Sequence, residues 1–248
     1  MYLIIWDLSM TIKTFFTGLL LVGLTLHSGS LLGQRWYKGN LHTHSLWSDG
    51  DDYPEPIMAW YKANGYQFVG LSDHNTLQEG EKWIQVPKAK ERRRVFERYL
   101  NTFGKEWVTY QQGSNDSLRV RLKTLAEYRP LFEEPGSFLI LNSEEISDSY
   151  QGKPIHINVT NVQRLIRPQR GNSVAEVMQN NLDAVVAQRR LSGQPVFAHI
   201  NHPNFYYAIT ADDLKQLRHE RFFEVYNGHP LVYNYGDNQH PGTEQIWD

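Results

Sequence analysis

Strand-like and helix-like segments alternate along most of the chain, and that alternation predicts an α/β fold on a parallel sheet. Two further observations favour a single such domain. The 248 residues are 40% hydrophobic and 21% charged, ordinary values for a globular protein. No repeat, low-complexity tract or flexible linker interrupts them. A chain of this size buries a sizeable core without covalent staples.

Residues 1–33 read differently from the rest. Lys13 precedes an apolar run from Phe15 to Leu26, and Ser28, Gly29 and Ser30 follow it. A charge, an apolar run and small residues in that order predict a secretory signal peptide. The run is short for a membrane span of about 20 residues. Met10 is an alternative start, and cleavage near Ser30 or Gly33 leaves a mature chain from about Gln34. The expected location is periplasmic or secreted, with no stable membrane anchor after cleavage.

From residue 34 onward one domain is expected. Six strands are read at about 36–44, 66–72, 138–141, 155–162, 195–200 and 222–226. Between them, Pro54–Asn64 places Ile57, Met58, Trp60 and Tyr61 at helical spacing and ends on Asn64-Gly65. Helices are also expected over Glu79–Tyr99, Leu118–Phe132 and Asp212–His219. A further one, Val174–Leu191, is capped by Ser173 and stopped by Ser192-Gly193. The long connection 79–134 reads as a helical insertion, and its Lys88–Arg94 cluster as a solvated face.

Composition narrows the chemistry. A net charge of −2 gives no general attraction to nucleic acid or anionic membrane. With no cysteine, disulfides, thiolate catalysis and Cys-based zinc sites are excluded. Any metal must be held by His, Asp and Glu.

Those residue types cluster at strand ends. His42, His44 and Asp49 follow the first strand, Asp73 and His74 the second, and Glu144 and Glu145 the third. His156 lies in the fourth, and His199 and His202 lie at the fifth. A lone histidine is usually a surface or satisfied core residue, and His-x-His alone is a weak signal. His42-x-His44 joined to Asp49 and Asp73-His74 is a much stronger one. In barrel-like α/β folds the C-terminal strand ends share one mouth, where scattered ligands converge. Imidazoles suit zinc and iron, carboxylates suit harder cations, and metals together bind phosphate and acidify water. Glu144 and Glu145 are neighbours on a strand and point to opposite faces, so at most one is a primary ligand.

The runs Asn40-Leu41-His42-Thr43-His44-Ser45, Ser48-Asp49-Gly50 and Leu71-Ser72-Asp73-His74-Asn75 resemble the PHP (polymerase and histidinol phosphatase) domain family. Glu145, His156 and Asn201-His202-Pro203 resemble its later motifs in the same order. The resemblance covers roughly residues 36–248. It implies a distorted (β/α)7 barrel, two or three ions of zinc, manganese or iron, and hydrolysis of a small phosphate ester.

By that resemblance His42, His44 and Glu145 hold one metal. Glu145 bridges to a second that His156 and His202 also bind, and Asp49 and His74 hold a third. His42, His44, Glu145 and His202 are the expected catalytic set. Glu145 is preferred over Glu144 because Ile146 follows it, and His202 over His199 because Pro203 does. Asp73 is expected to support a ligand rather than to be one. Two departures stand out. No Asp-x-His follows 222–226, so the last strand of the barrel is expected to be missing and the chain to be a truncated form. No Arg follows His202-Pro203, which leaves Lys153, Arg164 and Arg167 as candidate phosphate-binding cations. A barrel that has lost activity and kept only a binding role is the alternative. Oligomeric state is not legible.

Overall fold

The computed structural model describes residues 36–248, so the segment read as a signal peptide, residues 1–33, lies outside the described residues. In chain order the elements begin with β1 (Gly39–Asn40), α1 (Pro54–Ala63), β2 (Phe68–Leu71), β3 (Trp83–Gln85) and α2 (Lys90–Phe103). Next come β4 (Tyr110–Gln112), β5 (Leu118–Arg121), α3 (Leu125–Phe132), β6 (Leu139–Tyr150) and β7 (Lys153–Thr160). The last are α4 (Val174–Ser192), β8 (Phe197–Ile200), α5 (Ala211–Leu214) and α6 (Thr243–Trp247). Among the described residues no helix is long and apolar enough to cross a membrane.

The main sheet has the order β1-β2-β6-β7-β8. β1, β2 and β6 are parallel, with Val69 opposite Ile140. β7 is antiparallel to both of its neighbours, so β8 runs in the direction of β1, β2 and β6. The strand expected at 222–226 is reduced to one parallel bridge between Ile200 and Phe223.

The expected (β/α)7 barrel is therefore not formed. The sheet is a curled, mixed half-barrel of five strands. The decisive difference lies between β6 and β7, where a parallel barrel needs a crossover and this chain makes a hairpin. Gln151 and Gly152 turn it with φ of 48° and 82°. Two left-handed residues match the twist of the flanking strands, so the turn sends the chain straight back.

The connection 79–134 contains α2 and α3 and also a small antiparallel sheet of order β3-β5-β4. Leu118, Val120 and Leu122 are buried while Arg119 and Arg121 point outward, the two-residue period of a strand rather than a helix. These residues pack on Trp47, Tyr53, Phe96 and Tyr99 beneath the loop that follows β1.

One face of the main sheet is apolar along its length. At the β2 end, Val69, Leu71 and Ile140 pack on Met58 of α1 and on Leu125, Tyr128 and Phe132 of α3. At the β7 end, Ile155, Ile157, Val159 and Ala198 pack on Val177, Met178, Leu182 and Val185 of α4. Each large apolar side chain among these contributes roughly 1.5–3 kcal/mol by leaving water. The hydroxyl of Ser173 accepts the Glu176 N–H at the start of α4, and Gly193 ends it at φ 64°. Residues alternate in a strand, so burying Ile155, Ile157 and Ile146 on this face puts His156, Asn158 and Glu145 on the other.

Glu144 shares the apolar face. Its Oε1 accepts the Ile166 N–H at 2.8 Å, and its Oε2 is buried without a hydrogen-bond partner among the described residues. Burial pushes its pKa up from 4.5 to about 8. The folded state thus favours the protonated acid. Its contribution is intact below about pH 4.5 and is lost as pH rises towards 8, while the unfolded chain ionises freely. Glu144→Gln keeps an acceptor for Ile166 and cannot ionise. Denaturant titrations should show the variant more stable than the parent at pH 8 by at least about 1.4 kcal/mol, the free energy of a tenfold change in proton affinity. The gap should close towards about pH 5, where the unfolded acid also regains its proton; a pH-independent difference would mean that Glu144 does not titrate in this way.

Candidate metal centre

The centre starts at the end of β1. The loop after His44 folds tightly back, with Ser45 O accepting N–H groups from Ser48 at 3.0 Å and Gly50 at 2.9 Å. A Cβ on Gly50 would lie 2.5 Å from the His44 carbonyl, so only glycine permits that approach. The fold-back carries Asp49 onto His44, with Oδ1 2.8 Å from Nδ1, and its other oxygen lies 3.4 Å from His74 Nε2. Asp73 is buried beneath the loop and belongs to its frame. It accepts the Ser45 N–H and hydroxyl at 2.8 Å each, the Ser48 hydroxyl at 2.7 Å and the Gln78 amide at 2.8 Å.

Glu145 lies at the centre, fully buried. Its Oε1 faces His42 Nε2 at 3.4 Å, His156 Nδ1 at 3.3 Å and His202 Nε2 at 3.6 Å. Its Oε2 faces His44 Nε2 at 3.1 Å and His74 Nδ1 at 2.7 Å. One carboxylate thus divides five imidazoles into two groups, with Asp49 joining the second. The amide of Asn201 donates to Oε1 at 2.5 Å and to Asn158 Oδ1 at 3.0 Å. Asn158 in turn donates to the Leu41 carbonyl at 2.7 Å, tying β7 to the end of β1.

All seven residues read from the sequence as metal ligands therefore meet. Of the alternatives, Glu144 faces away, while His199 lies beside the cluster, opposite Asn158, but packs on Phe197 and makes no ion pair with it among the described residues. Burial lowers the His199 pKa to about 4 and keeps its ring neutral. The three candidate phosphate-binding cations are not brought to the centre. Lys153 is exposed at the hairpin tip, on the face of Ile155 rather than that of His156. Arg164 and Arg167 lie in the loop after β7, and because β7 runs backwards that loop emerges at the far end of the sheet.

Glu224 carries no local signal in the sequence, yet it lies within the cluster. Its Oε1 is 2.5 Å from His42 Nδ1, while its Oε2 accepts the His202 N–H and the Asn227 amide at 3.0 Å each. A carboxylate behind a ligating imidazole fixes its tautomer and aims the other nitrogen at the metal. Here Nε2 of His42 is the nitrogen aimed at Glu145. Ser147 positions His74, its hydroxyl 2.5 Å from Nδ1. His202 is held at φ 22°, a value that residues with a side chain seldom adopt. The Glu224 bond to its N–H helps to hold it there.

The electrostatics follow from burial and proximity. Burial opposes ionisation of Glu145, but the surrounding imidazoles outweigh it and hold the carboxyl well below its usual range. Burial also opposes charge on His42, and its contacts with Glu145 and Glu224 overcome this, raising its pKa to about 10. His44 is raised in the same manner, against burial, by Glu145 and Asp49.

The donors fit a metal. His44 Nε2, Glu145 Oε2 and His156 Nδ1 are buried without an aligned hydrogen-bond partner among the described residues. Three groups of donor atoms each lie within 4.8 Å of one another: His42, His44 and Glu145; His44, Asp49 and His74; His74, Glu145 and His156. These buried His and Glu groups could hold a metal ion. No protein-family model matches the chain, and no curated protein matches it.

Glu224→Ala should weaken metal binding about 10- to 100-fold, the usual cost of losing the group behind a ligating imidazole. Competition against a chromophoric chelator measures this. An unchanged affinity would show that His42 does not need Glu224 to ligate.

Proposed function

We propose that the chain is a metal-dependent hydrolase acting on phosphate esters, with two or three divalent ions of zinc, manganese or iron gathered on Glu145. The observation that carries this reading is the division of imidazoles between the two oxygens of one buried carboxylate. That is the arrangement a bridging ligand needs. The resemblance of the His42, Asp49 and His74 motifs to those of PHP proteins supports the choice of phosphoester chemistry, and the signal-like residues 1–33 support an exported enzyme.

Divalent ions in such a centre supply a water of lowered pKa and draw charge from phosphoryl oxygens. The residues supply the geometry. Glu145, fixed by Asn201, spans the two groups of donors. His42, His156 and His202 serve its Oε1 side; His44, His74 and Asp49 serve its Oε2 side. Glu224 keeps His42 Nε2 directed inward, and the Asp73 network keeps Asp49 on its imidazoles.

Purified protein should contain divalent metal and hydrolyse members of a panel of phosphomonoesters and phosphodiesters. His42→Ala combined with His44→Ala should lose both metal and activity, and retained activity would place the site elsewhere. Bound metal with no hydrolysis would leave a metal-binding module instead.

Because Glu145 and Glu224 raise the His42 pKa to about 10, ion uptake on His42 near neutral pH must displace a proton. Calorimetry in two buffers of different ionisation enthalpy should report net proton release, and affinity should fall as pH is lowered. Uptake without proton release would contradict this charge state.

A further inference from the structure

Three of the five imidazoles around Glu145 have a second polar partner that fixes the ring. His42 has Glu224 at 2.5 Å, His44 has Asp49 at 2.8 Å and His74 has the Ser147 hydroxyl at 2.5 Å. The rings of His156 and His202 have none. Among the described residues they pair with Glu145 alone. What they share instead is an aromatic neighbour. The Phe205 ring centroid lies 5.0 Å from that of His202 and 6.0 Å from that of His156, and the two imidazoles are 5.2 Å apart. The three rings pack as a triangle in which Phe205 is the member that cannot ligate.

Phe205 is itself held firmly. It sits in a loop where His202, Tyr206 and Tyr207 take φ of 22°, 52° and 54°, and such backbone persists only where its surroundings over-determine it. The amide of buried Asn204 donates to the carbonyls of Tyr233 at 3.0 Å and Pro241 at 2.9 Å. Phe205 forms an antiparallel bridge with Val232, and Tyr207 stacks on His240 with centroids 3.9 Å apart. Residues 232–241 thus clamp the loop that carries the ring.

We infer that Phe205 is a positioning residue of the centre, whose ring sets the planes of His156 and His202 towards Glu145 in place of the polar partners that orient the other three imidazoles. This assignment rests on the metal-centre reading above and adds to it what aligns two of the donors on the Oε1 side. An imidazole without a hydrogen bond behind it turns freely about its side-chain bonds unless packing stops it, and a ligand must be aimed to bind. A flat ring against both imidazoles stops them together.

The test reads ligand geometry as well as affinity and does not depend on turnover. Cobalt(II) is titrated into the metal-free protein, and the visible absorption of the bound ion reports the number and arrangement of its ligands. Phe205→Leu keeps an apolar side chain in the same space and removes the flat face. It should retain the circular dichroism of the parent, bind cobalt about threefold to tenfold more weakly, the range expected for loss of an aromatic pair, and change the absorption bands. Phe205→Tyr keeps the ring and should restore both affinity and spectrum. If Phe205→Leu matches the parent in both, the inference is overturned and the metal centre stands. Weaker binding with an unchanged spectrum would give Phe205 a general packing role and overturn it equally, as would a Phe205→Tyr variant no better than Phe205→Leu. No cobalt binding by the parent would sink the metal-centre reading, and the inference with it.

Discussion

The buried carboxylate of Glu145 is the constraint on which the rest of the arrangement depends. An isolated carboxylate taken from water into a protein interior would shed its charge by binding a proton. This one stays ionised because imidazoles from four separate chain segments surround it and Asn201 donates to it. Removing the imidazoles would leave an uncompensated buried charge, and removing the carboxylate would leave several crowded bases with nothing to share. The centre is an interdependent set in which each member justifies the burial of the others.

The fold serves that set by its directions. β1, β2, β6 and β8 all point one way, so the candidate ligands that follow β1, β2 and β8 arrive at the same end. β7 points the other way, and His156 reaches the centre from the early part of its strand, opposite Ser147. The hairpin that breaks the barrel pattern is thus compatible with the site. It returns the chain beside Glu145 at Asn158, where a helical crossover would have delivered the next strand by its other end.

Much of the site is legible in the sequence because its signal is local. His42-x-His44, Asp49, Asp73-His74 and Glu145 sit close after apolar runs, and an apolar run followed by polar ligands reads as a strand end whatever the topology. Topology is not legible in that way. Glu144-Glu145 through Tyr150 carries too few apolar residues to look like continued strand, yet β6 runs through it because its second face is the polar centre itself. Leu118–Leu122 has the two-residue period of a strand, but its charged arginines and the helical run after it make the whole stretch resemble one amphipathic helix. Glu224 falls within an expected strand with nothing beside it to mark it, because its partner, His42, lies 182 residues away. Only the folded chain brings such partners together.

The curl of the sheet also has an edge on either side, and the centre spans them. His42 follows β1, one edge strand, and Glu224 follows the bridge at Phe223 beside β8, the other. Their contact is a clasp across a seam that no backbone ladder closes among the described residues. Closing a loop of that length carries an entropic cost that grows only slowly with length, so one strong side-chain contact is enough to matter. An ion held by His42, His44 and Glu145 would tighten the same clasp. Were the cluster to hold an ion on His42, its occupancy and the closure of this seam would be coupled through that one residue.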